Sequence, residues 1–463
     1  MYPQTQIDPV VSFLNAQGEA VRGTIVNLER RALVMEVYNP HSIVQVSEVM
    51  NELTIRLGAR NAYVGKAVVI SLVNTGLTAI VSLRLIDEWR ELSMLDLAPG
   101  TVGKAAQDFV RDWDERPKIQ GEYQIAINET RAFLSELSRW VEQVDLSGVL
   151  PKDDDGRLPA GVFEELAAPL KARIQRYLDL INAVAAAVPE EQAVAHRAFA
   201  QGALHPLVLR APFVFRAFTK PLGYAGDYQM VNQMLDDPRQ GPSTYFQLVN
   251  AAFLDTPVAQ AHRNRIDLLV AYLCRHADAA RTMGRPFRIL NVGCGPAVEI
   301  QRFLQEYDEP HWLEFELVDF SEETLSWTKS RLAALNARLP RPAVIHYVND
   351  SVHRLLKRRL DDGATTNEFD MVYCAGLFDY LSDKVCAKLL MYFASRMRRN
   401  GNVLVTNVHS SNPGRHAMEH LLEWYLIYRD EACMRRLLPS DALDVQLYVD
   451  ATGVNVFAEA MLP

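Results

Sequence analysis

Apolar positions along this chain change their spacing twice. From Val21 to about Leu85 they fall in short runs: Gly23 to Asn27, Ala32 to Val37, Leu53 to Leu57, Tyr63 to Val73 and Leu77 to Leu85. The turn signals Asn39-Pro40 and Asn74-Thr75-Gly76 separate some of them, and strands at such even spacing predict a small barrel. From about Asp96 to Met234 the apolar residues recur at helical spacing, in Glu122 to Val144, Gly161 to Val188 and Glu190 to Gln201, with Pro151 to Gly156 as a polar loop. That pattern predicts a helical bundle, read as a spacer or a dimerisation element. From about Thr244 onward, short apolar runs alternate with helical patterns, which predicts an α/β fold with a mostly parallel sheet. The strands are Phe287 to Val292, Leu313 to Val318, Ala343 to Tyr347, Phe369 to Tyr373 and, after a turn at Asn400-Gly401, Asn402 to Asn407. A final pair, Asp444 to Val449 and Asn455 to Ala460, is joined through Ala451-Thr452-Gly453. So short a link makes an antiparallel hairpin, because a parallel return needs a crossover of about a dozen residues.

The expected domains are therefore a β-barrel over 1–95, a helical segment with a lid over 96–243 and an α/β domain over 244–463. A chain of 463 residues holds two or three domains, and its apolar fraction of 49% suits a soluble globular protein. The net charge of -9 and the short basic runs Lys357 to Arg359 and Arg396 to Arg399 argue against a nucleic-acid partner. Five cysteines without a Cys-x-x-Cys pair suggest neither a disulfide framework nor a metal site. Met1 to Val10 lacks a basic region followed by an apolar core, and no apolar run nears the ~18 residues of a membrane span. The expected location is cytoplasmic.

The chemistry starts at Arg288 to Glu299. A strand breaks into Gly293-Cys294-Gly295 and hands over to a helical pattern near Pro296, and glycine lets backbone approach a ligand closely. The next strand ends in Asp319, which can accept hydrogen bonds from both ribose hydroxyls of an adenosine cofactor. A dinucleotide site wants Gly-x-Gly-x-x-Gly for its pyrophosphate, whereas here Val298 stands at the third position and the turn reads Gly-x-Gly-x-Ala297. That favours S-adenosylmethionine, which has no phosphate to cradle. The other strand ends, Phe320, Asn349-Asp350-Ser351 and Cys374-Ala375, should share one rim with Gly293, Cys294, Gly295 and Asp319. Upstream, Lys220 to Tyr228 is irregular and polar, which is either a plain loop or a lid that covers the cofactor with Tyr224 and Asp227.

Together, Gly223-Tyr-Ala-Gly-Asp227, Gly293-Cys-Gly-Pro-Ala297, Gly376-Leu-Phe-Asp-Tyr-Leu381 and the run Asn412-Pro-Gly-Arg415, Met418-Glu419, Glu423-Trp424 and Tyr428-Arg429 resemble a branch of bacterial class I methyltransferases. That branch is associated with 3-hydroxy fatty acid methyl esters, which are quorum-sensing signals. The likeness covers roughly Phe199 to the C-terminus and implies a Rossmann-like sheet that ends in an antiparallel strand. It also implies S-adenosylmethionine contacts at Gly293, Gly295, Asp319, Asn349 and Asp350. One departure is Asn291, where many class I enzymes carry an acidic residue for the methionine ammonium. Val21 to Asn27 similarly resembles the start of PilZ domains, which bind cyclic di-GMP. Asn27 to Ala32 departs from their Arg and Ser/Gly signature, so the barrel is expected to be structural or partner-docking.

The expected reaction displaces methyl from sulfonium by a carboxylate that is already ionised at neutral pH, so it depends on alignment more than on a base. His409, Arg415 and Tyr380 are the candidates to orient or neutralise that carboxylate, arginine because its fork binds carboxylates with two hydrogen bonds. Alternatively His409 caps a strand end, Arg415 pairs with Glu419 and Tyr380 is core. Trp424, Tyr425 and Tyr428 are candidates for an acyl pocket. The rival readings are an O- or N-methyltransferase with His409 as base, and a non-catalytic regulatory module. The expected partner is a small molecule, and a homodimer stays open.

Overall fold

The computed structural model describes residues 10–14, 20–37, 48–57, 60–74, 79–87, 89, 103–104, 106–107, 110–111, 118–307, 310–362 and 368–463. The turn signals at Asn39-Pro40 and Thr75-Gly76, the first nine residues and most of 90–117 lie outside them. The chain forms two compact units. Unit 1 comprises Met1–Ala225, Arg239–Ala252 and Arg415–Tyr425; unit 2 comprises Gly226–Pro238, Phe253–Gly414 and Leu426–Pro463.

In unit 1 six strands close a barrel: β1 (Val10–Leu14), β2 (Ala20–Leu28), β3 (Ala32–Val37), β4 (Val49–Leu57), β5 (Arg60–Asn74) and β6 (Ala79–Leu85). The order is β1-β2-β3-β6-β5-β4, and β1, unforeseen in the sequence pattern, closes it by pairing antiparallel with both β2 and β4. Alternation does the sorting. Leu33, Met35 and Val37 of β3 point inward with Val11, Phe13, Ile55, Tyr63 and Leu83, while the intervening residues face out. Beyond the barrel come α1 (Gly121–Leu146), α2 (Ala160–Ala186), α3 (Glu190–Val208) and α4 (Pro212–Thr219); α5 (Tyr228–Leu235) belongs to unit 2, and α6 (Thr244–Leu254) lies mostly in unit 1. Tyr123, Ala126, Ile127, Thr130, Leu134, Leu137 and Val141 form the buried stripe of α1, at the three-to-four-residue spacing that predicted it.

Unit 2 continues with α7 (Pro257–Ala280), β7 (Phe287–Val292), α8 (Val298–Glu306), β8 (Leu313–Asp319), α9 (Glu322–Asn336), β9 (Val344–Asn349), α10 (Val352–Asp362), β10 (Phe369–Cys374), α11 (Asp383–Arg396) and β11 (Met397–Val408). After α12 (Arg415–Leu421), which is part of unit 1, it closes with α13 (Glu431–Leu437), β12 (Leu443–Val449) and β13 (Asn455–Leu462). The seven-stranded sheet runs β12-β13-β11-β10-β7-β8-β9. β9, β8, β7, β10 and β11 are mutually parallel, and β13 is antiparallel to both β11 and β12. The expected hairpin is present, but its second strand inserts between β11 and β12 instead of forming the sheet edge. Two further expectations need correction. Asn400-Gly401 is no turn before a strand: it lies within β11, where Met397 to Asn402 on β11 oppose only Phe369 to Met371 on β10, and Asn400 adopts φ 61°. Helix α8 starts at Val298, not at Pro296, because Ala297 is left-handed at φ 47°.

Candidate active site

The carboxyl ends of the parallel strands in unit 2 are stitched together by short hydrogen bonds. Gly293 (φ 73°) and Gly295 (φ 51°) take conformations that a side chain disfavours, so the turn after β7 needs both. Gly293 and Cys294 N–H donate to Val318 O at 2.8 and 3.1 Å, which pulls the turn against the end of β8. There Asp319, 6% exposed, accepts Gly295 N–H on Oδ2 at 3.0 Å and Ser321 N–H on Oδ1 at 2.9 Å. Burial pushes its carboxyl up to about 6 despite those donors. Backbone donors from Ser321, Gly295 and Phe320 act on it, and a carboxylate with about four lone-pair sites keeps acceptor capacity for a ribose. Asn349 Nδ2 donates to Phe320 O at 3.0 Å, and Asp350 N–H to Asp319 O at 3.1 Å. Asp350 Oδ1 accepts Ser351 N–H at 2.9 Å, while Ser351 itself caps α10 through Arg354 N–H. From the far side Leu377, just after Cys374 and Ala375, lies 3.4 Å from where a Cβ on Gly293 would stand. The expected rim residues thus form one contiguous patch. Burial raises the Cys294 and Cys374 thiols, so what these residues offer is backbone, not a nucleophile.

Two residues that sequence reasoning missed lie beneath this turn. Asn291, expected to leave the ammonium without an acidic partner, donates its amide to Glu299 Oε1 at 3.1 Å and to Tyr373 OH at 2.9 Å; Tyr373 in turn donates to Glu299 at 2.8 Å. Glu299 lies eight positions along, in the first turn of α8, where burial raises its carboxyl and the Tyr373 hydroxyl draws it back down. Its position one turn into the helix after the glycines was visible in the sequence. Arg265 on α7 had no such signal. It is 7% exposed, its Nη1 has no hydrogen-bond partner, and Nη1 lies 3.0 Å from where a Cβ on Gly376 would be. Gly376 has φ 96°, so the residue must be glycine for conformation as well as for space. The charged or ionisable neighbours of Arg265 are Asp379, Tyr380, Glu299 and Cys374, in falling order of influence.

Of the three residues expected to handle the acceptor, His409 and Tyr380 belong to unit 2 and Arg415 to unit 1. His409 is in unit 2 with both ring nitrogens engaged: Nδ1 with the Ser411 hydroxyl at 2.6 Å, Nε2 with Glu431 at 3.0 Å. Arg415 is in unit 1, 44% exposed at its side chain, and pairs with Glu419 at 2.9 Å one helical turn on, the bland alternative. Tyr380 is 8% exposed at the end of a 3-10 turn, Phe378–Tyr380, in unit 2. Trp424 and Tyr425 are buried in unit 1 and Tyr428 belongs to unit 2. In the expected lid, Gly223 (φ 89°) and Gly226 (φ 81°) are both left-handed, and Gly223 O accepts Val49 N–H from the barrel at 2.6 Å. Tyr224 is half-buried, and Asp227 is the N-cap of α5, accepting Met230 N–H at 2.9 Å. A cavity of about 450 Å³ opens among α5, α8 and α9, lined by Gln229, Asn232, Gln301, Trp327 and Arg331 and by none of the expected site residues. Among the described residues no cluster of His, Cys, Asp or Glu could hold a metal, and no helix is long and apolar enough to cross a membrane.

No protein-family profile matches the chain, and no curated protein matches it. Among solved structures, it is similar to a Bordetella parapertussis protein described as a possible exported protein, at 17% identity over 54% of this chain and 86% of that one, TM-score 0.43. It is also similar to magnesium protoporphyrin IX methyltransferase from Synechocystis PCC 6803 with bound SAM, at 12% identity over 45% of this chain and 82% of that one, TM-score 0.31. A third is an N-methyltransferase from Bradyrhizobium japonicum WM9 in complex with S-adenosyl-L-homocysteine, at 12% identity over 51% of this chain and 98% of that one, TM-score 0.31.

Proposed function

We propose that unit 2 is an S-adenosylmethionine-dependent methyltransferase whose acceptor is the carboxylate of a 3-hydroxy fatty acid. The observation that carries the cofactor assignment is Asp319, buried at the end of the second parallel strand and clasping the glycine turn with acceptor lone pairs to spare. A ribose diol suits that acceptor capacity, and Val298 stands where a pyrophosphate site wants its third glycine. Placing β13 antiparallel within an otherwise parallel sheet agrees with the class I resemblance.

The polar groups under the turn fit the amino-acid end of this cofactor. Glu299, held by Asn291 and Tyr373, supplies the negative charge for an ammonium, and the unsatisfied Nη1 of Arg265 suits a carboxylate. When bound, S-adenosylmethionine supplies a methyl group on a positively charged sulfur. The protein's part is then to exclude water and to align the acceptor oxygen, and a fatty carboxylate needs no base to remove a proton. This agrees with His409 being committed to Glu431 and Ser411. Tyr380 is the remaining candidate in unit 2 to orient the acceptor.

Incubating the full chain with methyl-labelled S-adenosylmethionine and a set of free and carrier-bound 3-hydroxy acids tests the reading. Label in an ester supports it, label in an ether or amine transfers it to the rival acceptors, and no cofactor binding sinks it. A finer expectation concerns Glu299→Gln, which should weaken S-adenosylmethionine by about tenfold through loss of one charge-assisted contact. Affinity for 5′-methylthioadenosine, which lacks the amino-acid end, should stay unchanged. Equal losses for both ligands in calorimetry would mean that Glu299 only supports the turn.

A further inference from the structure

We propose that the cavity among α5, α8 and α9 is a binding site for a neutral sugar, whose hydroxyls meet the carboxamides of Gln229, Asn232, Gln233 and Gln301 beside a wall made by Trp327 and Arg331. All three helices belong to unit 2. At about 450 Å³ the cavity falls in the range of clefts that hold small ligands, ~300–1,000 Å³. None of the residues assigned to the cofactor or to the acceptor lines it, so the inference goes beyond the methyltransferase reading and does not rest on it.

Hydrogen bonds within the wall fix how two of the carboxamides are turned. Gln301 Nε2 donates to Pro296 O at 2.7 Å, and a carbonyl can only accept, so the oxygen of this amide is the end left over. Tyr228 OH donates to Glu323 Oε1 at 2.9 Å and accepts Gln229 Nε2 at 2.9 Å, which fixes the second amide in the same sense. Each therefore keeps Oε1 as an acceptor for a ligand hydroxyl. Gln233 is held less firmly. Its Oε1 is buried and has no hydrogen-bond partner among the described residues, so turning this amide about its soft last torsion toward a ligand gives up no bond of that oxygen. On the α9 side the exposed Arg331 guanidinium lies 5.3 Å from the Trp327 ring centroid, which sets N–H donors beside an aromatic surface.

This lining selects the chemistry of the occupant. Carboxamides are neutral, and the two charged side chains of the wall, Asp236 and Arg331, have opposite signs, so an ion has no net counter-charge here. A phosphate would also face the amide oxygens of Gln229 and Gln301, acceptor against acceptor. An apolar ligand would strip water from the amides and replace none of their hydrogen bonds. A flat base held between two rings does not fit either: the Tyr228 and Trp327 centroids are 5.4 Å apart and the rings are inclined at 48°, which leaves no parallel slot. A sugar meets each demand. Every hydroxyl both donates and accepts, as every carboxamide does, and the C–H face of the ring is apolar enough to lie against an indole.

The test is saturation-transfer NMR and calorimetry on the full chain with glucose, galactose, mannose and maltose, and with inorganic phosphate and adenosine as the charged and the flat alternatives. At least one of the sugars should bind with a dissociation constant of about 1 mM or below. Arg331→Met removes donors from an exposed position and Gln233→Leu removes the loosely held amide; each should weaken that sugar by about fivefold or more. Both variants should melt within about 2 °C of the native protein. If Gln233→Leu does not fold, Arg331→Met decides alone. The proposal is overturned if no sugar binds at about 10 mM, if the variants hold the sugar as the native protein does, or if phosphate or adenosine binds in place of sugar. S-adenosylmethionine affinity, read on the same samples, should be equal in all three proteins. Loss of sugar and cofactor together would make the cavity part of the cofactor site and overturn the proposal, whereas a native chain that binds sugar and no cofactor would sink only the methyltransferase reading.

Discussion

Arg429→Met is expected to destabilise the protein by about 2–3 kcal/mol, mostly through hydrogen bonds lost in the core, because its ionic partner Asp383 is largely exposed. Arg429 is 2% exposed, and every face of its guanidinium is used. Nε and Nη2 donate to Asp383 Oδ1 at 2.9 and 2.7 Å, Nη2 also to Leu381 O at 2.6 Å, and Nη1 to Phe378 O at 2.8 Å and Asn407 Oδ1 at 2.6 Å. The side chain thereby ties the end of β11 to the turn that follows β10. A methionine of similar length fills the volume but leaves the Asn407 amide oxygen without this donor, at roughly 1–3 kcal/mol, and leaves Phe378 O and Leu381 O with only Leu381 N–H at 3.1 Å and the Cys386 thiol at 3.5 Å. Arg429→Lys should recover little, because one ammonium cannot reach oxygens on both sides of a planar fork. Because Phe378 and Leu381 flank Tyr380, surviving folded protein should also orient its acceptor less well and transfer methyl more slowly. Denaturant unfolding followed by far-UV circular dichroism measures the first effect. A loss below about 1 kcal/mol would mean that the chain re-satisfies those groups without the arginine.

The same residue shows where sequence reading stops. Tyr428-Arg429 was noticed as part of a motif, yet nothing in the pattern says that Arg429 is a structural clamp while Arg415, fourteen positions earlier, is a half-exposed partner of Glu419. Local periodicity reports which face of an element is buried, and it placed the strands of unit 2 to within a few residues because parallel strands covered on both faces must be nearly all apolar, as β10 is apart from Asp370. It cannot report partners brought together by topology. β1 escaped notice because a five-residue strand carries too little alternation, although closure of the barrel depends on it. The rim was legible because glycines with positive φ and an acidic strand end are local features. Glu299 could have been found as the nearest carboxylate to a missing one. Arg265 could not, since its role depends on Gly376, more than a hundred residues away in sequence.

Asp319→Asn is expected to separate binding from stability. In the folded chain, burial raises this carboxyl from 3.8 to about 6, which corresponds to roughly 3 kcal/mol against the ionised form at neutral pH. The sign follows from the direction. A carboxyl raised on folding favours the folded state most below its unfolded value near 4, and that advantage is lost as pH rises through about 6. Asparagine carries no charge at any of these pH values, so the penalty disappears, while a backbone donor such as Gly295 N–H or Ser321 N–H loses its acceptor at roughly 1–2 kcal/mol. The net expectation at pH 7.5 is a cofactor-free protein about 1 kcal/mol more stable, with a flatter stability profile between pH 4.5 and 8. Binding should move the other way. Two ribose hydroxyls that donate to a charged acceptor contribute roughly 1.5 kcal/mol each, so S-adenosylmethionine affinity should fall by about a hundredfold. In the native protein affinity should weaken as pH drops below about 6 and the carboxyl takes up its proton, and in the variant that dependence should be absent. Calorimetry at pH 5 and 7.5 with both proteins, alongside urea unfolding, reads all of these. An affinity untouched by the substitution, or a pH dependence that survives it, would remove Asp319 from the cofactor site.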